Sequence, residues 1–149
     1  MVGLLILTIC RNLLTKGWLE MSNAIICCED SGCLRLDSFI LEDEFYKANA
    51  VVRSDWYEAK ASFYVSKERI DELISDLEKM SHEHDNKVVF INEDGNFEAN
   101  FSIDHLGKVR IAGVLIKSMM DSSSLNYELY SDLQSIVDFC GQLKRIISQ

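Results

Sequence analysis

Proline is absent from this 149-residue chain, and its seven glycines are scattered. No flexible linker is therefore visible, and no low-complexity tract or repeat of fixed period stands out. The length suits one domain, large enough to bury a core. A glycine pattern joining a strand to a helix, the mark of a phosphate-binding loop, is missing. So are a G-x-S-x-G elbow and an H-E-x-x-H zinc helix, since His82-Glu83-His84 is too short for the latter. No CxxC occurs among the five cysteines, Cys10, Cys27, Cys28, Cys33 and Cys140. That odd, irregular set reads as reduced cytosolic thiols and gives neither a disulfide frame nor a zinc site.

Positive charge is scarce. Fifteen Lys and Arg stand against 24 Asp and Glu, a net charge of -9. Such a chain repels nucleic acid and anionic lipid, and attracts a basic partner over about a Debye length, roughly 8–10 Å. Solubility is the plain alternative explanation of the same surplus.

Long hydrophobic runs are lacking too. The stretch from Val2 to Cys10 is about half of what a membrane-spanning helix needs. No positive charge precedes it, as a secretory signal requires, and Ile9 stands where a lipoprotein cleavage box needs a small residue. Met21, by contrast, opens onto a clean strand, and Lys16-Gly17 can be encoded by a purine-rich run at ribosome-binding distance upstream. We expect residues 1–20 to be an erroneous N-terminal extension or a weak signal-like segment. Residues 21–149 then form a single α+β domain, with 13 basic and 23 acidic side chains.

What is present is alternation. Ala24 to Cys28 is apolar, Glu29 to Gly32 turns, and Cys33 to Phe39 alternates, which predicts a first hairpin. Glu42, Asp43 and Glu44 read as a solvated loop. Tyr46, Ala48, Ala50 and Val52 share one strand face. After a turn near Ser54, so do Tyr57, Ala59, Ala61, Phe63 and Val65. Ser66 then caps a helix in which Ile70, Leu73, Ile74, Leu77 and Met80 recur at helical spacing. Lys67, Glu68, Asp71, Glu72, Asp76, Glu78 and Lys79 form its wet side.

Val88 to Ile91 predicts a strand, with Gly95 supplying a positive φ in the turn that follows. Phe97, Ala99, Phe101 and Ile103 point to the core. Gly107 closes a longer hairpin loop, and Val109, Ile111, Gly113 and Leu115 return along the sheet. A strand at Leu125–Tyr130 leads into a helix capped by Asp132. Its expected buried stripe is Leu133, Ile136, Val137, Cys140, Leu143 and Ile147, and Lys144 and Arg145 favour its C-terminal dipole. The sum is an α+β fold: an antiparallel meander of about eight strands, with two helices packed on one face.

Catalysis finds little support. The cysteines fall on apolar strand or helix positions, which raise thiol pKa, and Cys140 reads as a packed thiol. Asp104 and His105 are adjacent, so their side chains diverge. We expect no enzyme, no cofactor and no metal. The alternatives from other classes are a small metal-dependent hydrolase built around His82, His84 and Asp85, and a homodimeric structural adaptor. What remains is surface: acids interleaved with Trp56, Tyr57, Tyr64, Tyr127 and Tyr130, a composition suited to a basic protein partner. The candidate contacts are Glu42, Asp43, Glu44, Asp55, Trp56, Glu58, Glu93, Asp94 and Asp121.

Two segments carry a family resemblance. "GNFEANFSIDHLGKVRIAGVLIKS" and "SLNYELYSDLQSIVDFCGQLKRII" resemble the WapI-family immunity proteins of bacterial polymorphic-toxin systems. The shared features are a strand ending in Asp104, the turn carrying His105, Gly107 and Val109, and the strand-to-helix passage "YELYSDLQSI". The tract "DWYEAKASFYV", Asp55 to Val65, fits the same pattern, so the resemblance runs from about Ile25 to Ile147. It implies a cytoplasmic protein that binds and neutralises the C-terminal domain of a WapI-type secreted toxin, a domain similar to a tRNA-cleaving nuclease. A nuclease domain is basic because it holds phosphates, so opposite charge would speed the encounter.

Overall fold

The computed structural model describes residues 23–84, 87–117 and 123–148. The expected extension, residues 1–20, lies outside them. Four strands come first: β1 (Ala24–Cys27), β2 (Cys33–Glu42), β3 (Phe45–Arg53) and β4 (Glu58–Ser66). Helix α1 (Lys67–Glu83) follows. The same order then recurs as β5 (Val88–Ile91), β6 (Phe97–Ile103), β7 (Val109–Ile116), β8 (Ser124–Ser131) and α2 (Leu133–Ile147).

The eight strands, two helices and α+β class agree with the sequence pattern, but the strands form two meanders. Each is a four-stranded antiparallel sheet, ordered β1-β2-β3-β4 and β5-β6-β7-β8. The described residues are thus built twice as four strands and a helix. No period in the sequence announces this, because the halves share burial patterns while strand lengths drift. β2 has 10 residues where its counterpart β6 has 7.

The acidic tract Glu42-Glu44 is partly strand. β2 extends through Glu42, which pairs with Phe45, and only Asp43 and Glu44 turn. Between Asp37 and Ile40 the register slips, with Ser38 at φ 58°. A bulge of this kind moves every later side chain to the other face. Leu34 and Leu36 are buried, while Ile40, paired with Lys47, is turned outward and exposed.

Ser66 caps α1 as expected, accepting from the Arg69 N–H at 3.2 Å, and Asp132 caps α2 through the Ser135 N–H at 2.7 Å. α1 buries the five predicted residues, Ile70, Leu73, Ile74, Leu77 and Met80. In α2 the stripe is rotated slightly. Phe139 and Ile146 are buried, whereas Val137 is 47% exposed. Val137 follows Ile136 by one residue, about 100° around the helix, and so faces outward.

One core joins both halves. Phe63 of β4 packs against Phe97 of β6 at 5.0 Å between ring centres, and Phe90 meets Phe97 at 5.5 Å. α2 lies against β1, α1 lies against β4 and β5, and the helices touch each other. Polar contacts cross between the sheets as well. Buried Asn92 donates to the Tyr64 carbonyl at 3.0 Å, and buried Asn96 to the Ser62 carbonyl at 2.9 Å. Reciprocally, Ser131 Oγ donates to the Cys27 carbonyl at 2.5 Å and the Glu29 N–H to the Tyr130 carbonyl at 2.9 Å. Each half's first turn therefore clasps the other half's last strand.

Candidate partner-binding groove

Three elements converge at the start of α1. The Lys67 N–H donates to the Glu44 carbonyl at 3.1 Å, tying the β2–β3 turn to the helix. The Ser66 N–H donates to both carboxylate oxygens of Glu93, at 3.3 and 3.2 Å, which brings in the β5–β6 turn. Between them runs an open groove of about 990 Å³, lined by Asp43, Glu44, Phe45, Glu93 and the α1 face carrying Glu68, Asp71, Glu72 and Asp76. Among the described residues of its wall, Lys67 is basic.

Among the described residues, little in the groove neutralises these acids. Arg69 approaches Glu93 at 3.6 Å. Burial pushes the Glu93 carboxyl up, but hydrogen bonds from Ser66 and the charge of Arg69 outweigh it, and the net shift is downward. Glu93 thus stays ionised, and the positive end of the α1 dipole favours it further. Phe45 adds a 40%-exposed ring to the acidic wall. A groove of this kind can accept Lys or Arg side chains with their apolar stems.

Of the residues singled out from sequence, Asp43, Glu44 and Glu93 meet here. Glu42 ends β2 beside the turn, and Asp94 is exposed next to Glu93. Asp55, Trp56 and Glu58 sit at the other end of the β3–β4 hairpin, roughly 25 Å away along the strands. There Trp56 is 80% exposed and packs edge-on against Tyr57 at 4.9 Å. Asp121 lies outside the described residues. The α1 acids were assigned only to a solvated face. Their signal was Glu68, Asp71, Glu72 and Asp76 recurring at three- and four-residue spacing on one side of the helix.

Other expectations change. Tyr127 is buried, with its hydroxyl donating to the Glu98 carbonyl at 2.6 Å, so it belongs to no surface. Asp104 Oδ1 accepts the Leu106 and Lys108 N–H groups at 2.9 Å each and shapes the turn beside exposed His105. Cys27, Cys28, Cys33 and Cys140 are buried, and burial pushes the Cys140 thiol up to about 12. His82 lies in the last turn of α1 and His84 caps it at φ 64°, while Asp85 is outside the described residues. Among the described residues, no group of three or more His, Cys, Asp or Glu is placed to hold a metal ion. A smaller cleft of about 240 Å³ between the sheets has Lys60 and Lys117 in its wall, the wrong charge for a basic partner.

No family model and no curated protein matches the chain. Among solved structures, the fold is similar to one reported as the crystal structures of Trypanosoma bruciei MRP1/MRP2. The TM-score is 0.52 at 10% identity, over 94% of this chain and 92% of that one. At that identity the likeness concerns the fold. No helix among the described residues is long and apolar enough to cross a membrane.

Proposed function

We propose that this chain is an immunity protein: a cytoplasmic, non-enzymatic inhibitor that binds the basic, tRNA-cleaving C-terminal domain of a WapI-type toxin. The observation that carries the reading is the concentration of seven carboxylates around one groove, with Phe45 as an apolar contact. The groove is the surface where a chain of net charge -9 focuses its field on a basic partner. Inhibition then consists of occupying the toxin's phosphate-binding surface before RNA can.

The test measures association of the purified chain with a recombinant WapI-type toxin domain. The wild-type rate falls as salt is raised. Reversal of Glu68 and Glu72 to Lys slows association by about 10- to 100-fold at low salt. Reversal of Asp55 and Glu58, at the far end of the hairpin, changes it little. Equal rates for the two double variants, or a salt-independent rate, would refute the groove assignment.

A further inference from the structure

The two halves of the molecule treat their first strands differently. In β1, Cys28 N–H bonds the Gly32 carbonyl across the hairpin at 2.9 Å, which leaves the backbone groups of Ile25 and Cys27 facing outward. Both residues are held: the Ile25 N–H donates to Gln142 Oε1 at 2.7 Å, and the Cys27 carbonyl accepts from Ser131 Oγ at 2.5 Å. In β5, the Asn92 N–H bonds the Phe97 carbonyl at 3.2 Å, so Val89 and Ile91 turn their backbone groups outward. Counted from the two helix caps, the place of Gln142 falls on the shorter, exposed Asp76. That of Ser131 falls on Val65, which has no hydroxyl. Among the described residues, no side chain bonds to Val89 or Ile91. Both are exposed, Val89 at 71% and Ile91 at 40%.

An uncovered edge bearing aliphatic side chains is a template for another strand. We propose that two copies of this chain associate edge to edge through β5, antiparallel about a two-fold axis at Phe90. This inference does not rest on the immunity reading, although Glu93 belongs to both surfaces.

The sequence of the strand argues for a second copy as the occupant. Centring on Phe90 sets Val89 opposite Ile91 of the other copy, so their outward N–H and carbonyl groups exchange hydrogen bonds at both ends. Val89 and Ile91 project to the same outer face, and two cross-strand aliphatic pairs form there. The same register brings Lys87, exposed before the strand, toward Glu93 in the turn after it, whose carboxylate also accepts from the Ser66 N–H, and the axis brings these opposite charges together twice. A foreign strand has no such reciprocity built in. The product is one continuous eight-stranded sheet made of the two β5–β8 meanders.

Four residues a side make a contact below the usual size of a permanent interface, so association is weak and is measured at roughly 0.1–1 mM chain. Sedimentation velocity at physiological salt should show the 17.0 kDa mass rising toward twice that value across this range. Val89→Lys and Lys87→Glu should each abolish the rise with an unchanged melting temperature, while Val137→Lys, on the exposed side of α2, should keep it. A wild-type chain monomeric throughout, a dimer that survives Val89→Lys, or a dimer lost with Val137→Lys overturns the proposal. So does a monomer whose complex with a toxin domain is broken by Val89→Lys, because the edge would then belong to a foreign strand.

Discussion

Gly113 occupies the tightest point of the second sheet. A Cβ built there would lie 1.9 Å from the Glu98 carbonyl oxygen and 2.9 Å from the Tyr127 hydroxyl. The bare Cα lets this β6 carbonyl lie close against β7 while it accepts from the Tyr127 hydroxyl of β8. Gly113→Ala must push one of these groups away. We expect a loss of about 2–3 kcal/mol, as for overpacking a filled site, read as a melting temperature lower by roughly 5–10 °C. The alternation of Val109, Ile111, Gly113 and Leu115 marked the position as inward-facing. It did not say why the residue is glycine, because the carbonyl it must avoid is 15 residues away on another strand.

At the scale of elements, the junction of the β2–β3 turn, the α1 N-terminus and the β5–β6 turn depends on Glu93. Its folded carboxyl titrates below the ordinary 4.5, so ionisation favours the folded state. That stability is fully present above the unfolded value and is lost as pH falls through the folded one. Glu93→Gln should therefore melt below wild type near neutrality, with the gap closing under acid. Thermal melts between pH 7 and 3 check this, and a gap that stays constant would remove the ionic role. Strands, caps and turns were readable from sequence here because each rests on local chemistry. Ser66 and Asp132 cap through their own hydroxyl and carboxylate, and Gly95 and Gly107 take φ of 73° and 83° where a left-handed residue was expected. The bulge at Ser38 was not readable, since it depends on the partner strand, and it is what turns Ile40 outward.

At the scale of the whole molecule, the described residues form two similar halves that cannot part without breaking buried polar contacts. Asn92 holds Tyr64, Asn96 and the Phe97 N–H at once, from a position 3% exposed. Asn92→Ala strands several of those partners away from water, at a cost of about 3 kcal/mol. Because one core spans both sheets, circular dichroism and tyrosine fluorescence should still report a single coincident urea transition, moved to lower denaturant. Two resolved transitions would mean that the halves fold separately.

Sequence by itself determined the α+β class, the position of nearly every strand and helix, and a strong negative charge, because periodicity, capping and charge are properties of neighbouring residues. Tertiary structure decided the rest. It split one apparent meander into two sheets, buried Tyr127, turned Val137 outward, and gathered Asp43, Glu44, Glu93 and the acids of α1 around one groove. Those outcomes depend on contacts between residues far apart in the chain, whose geometry exists only once both halves have closed on a common core.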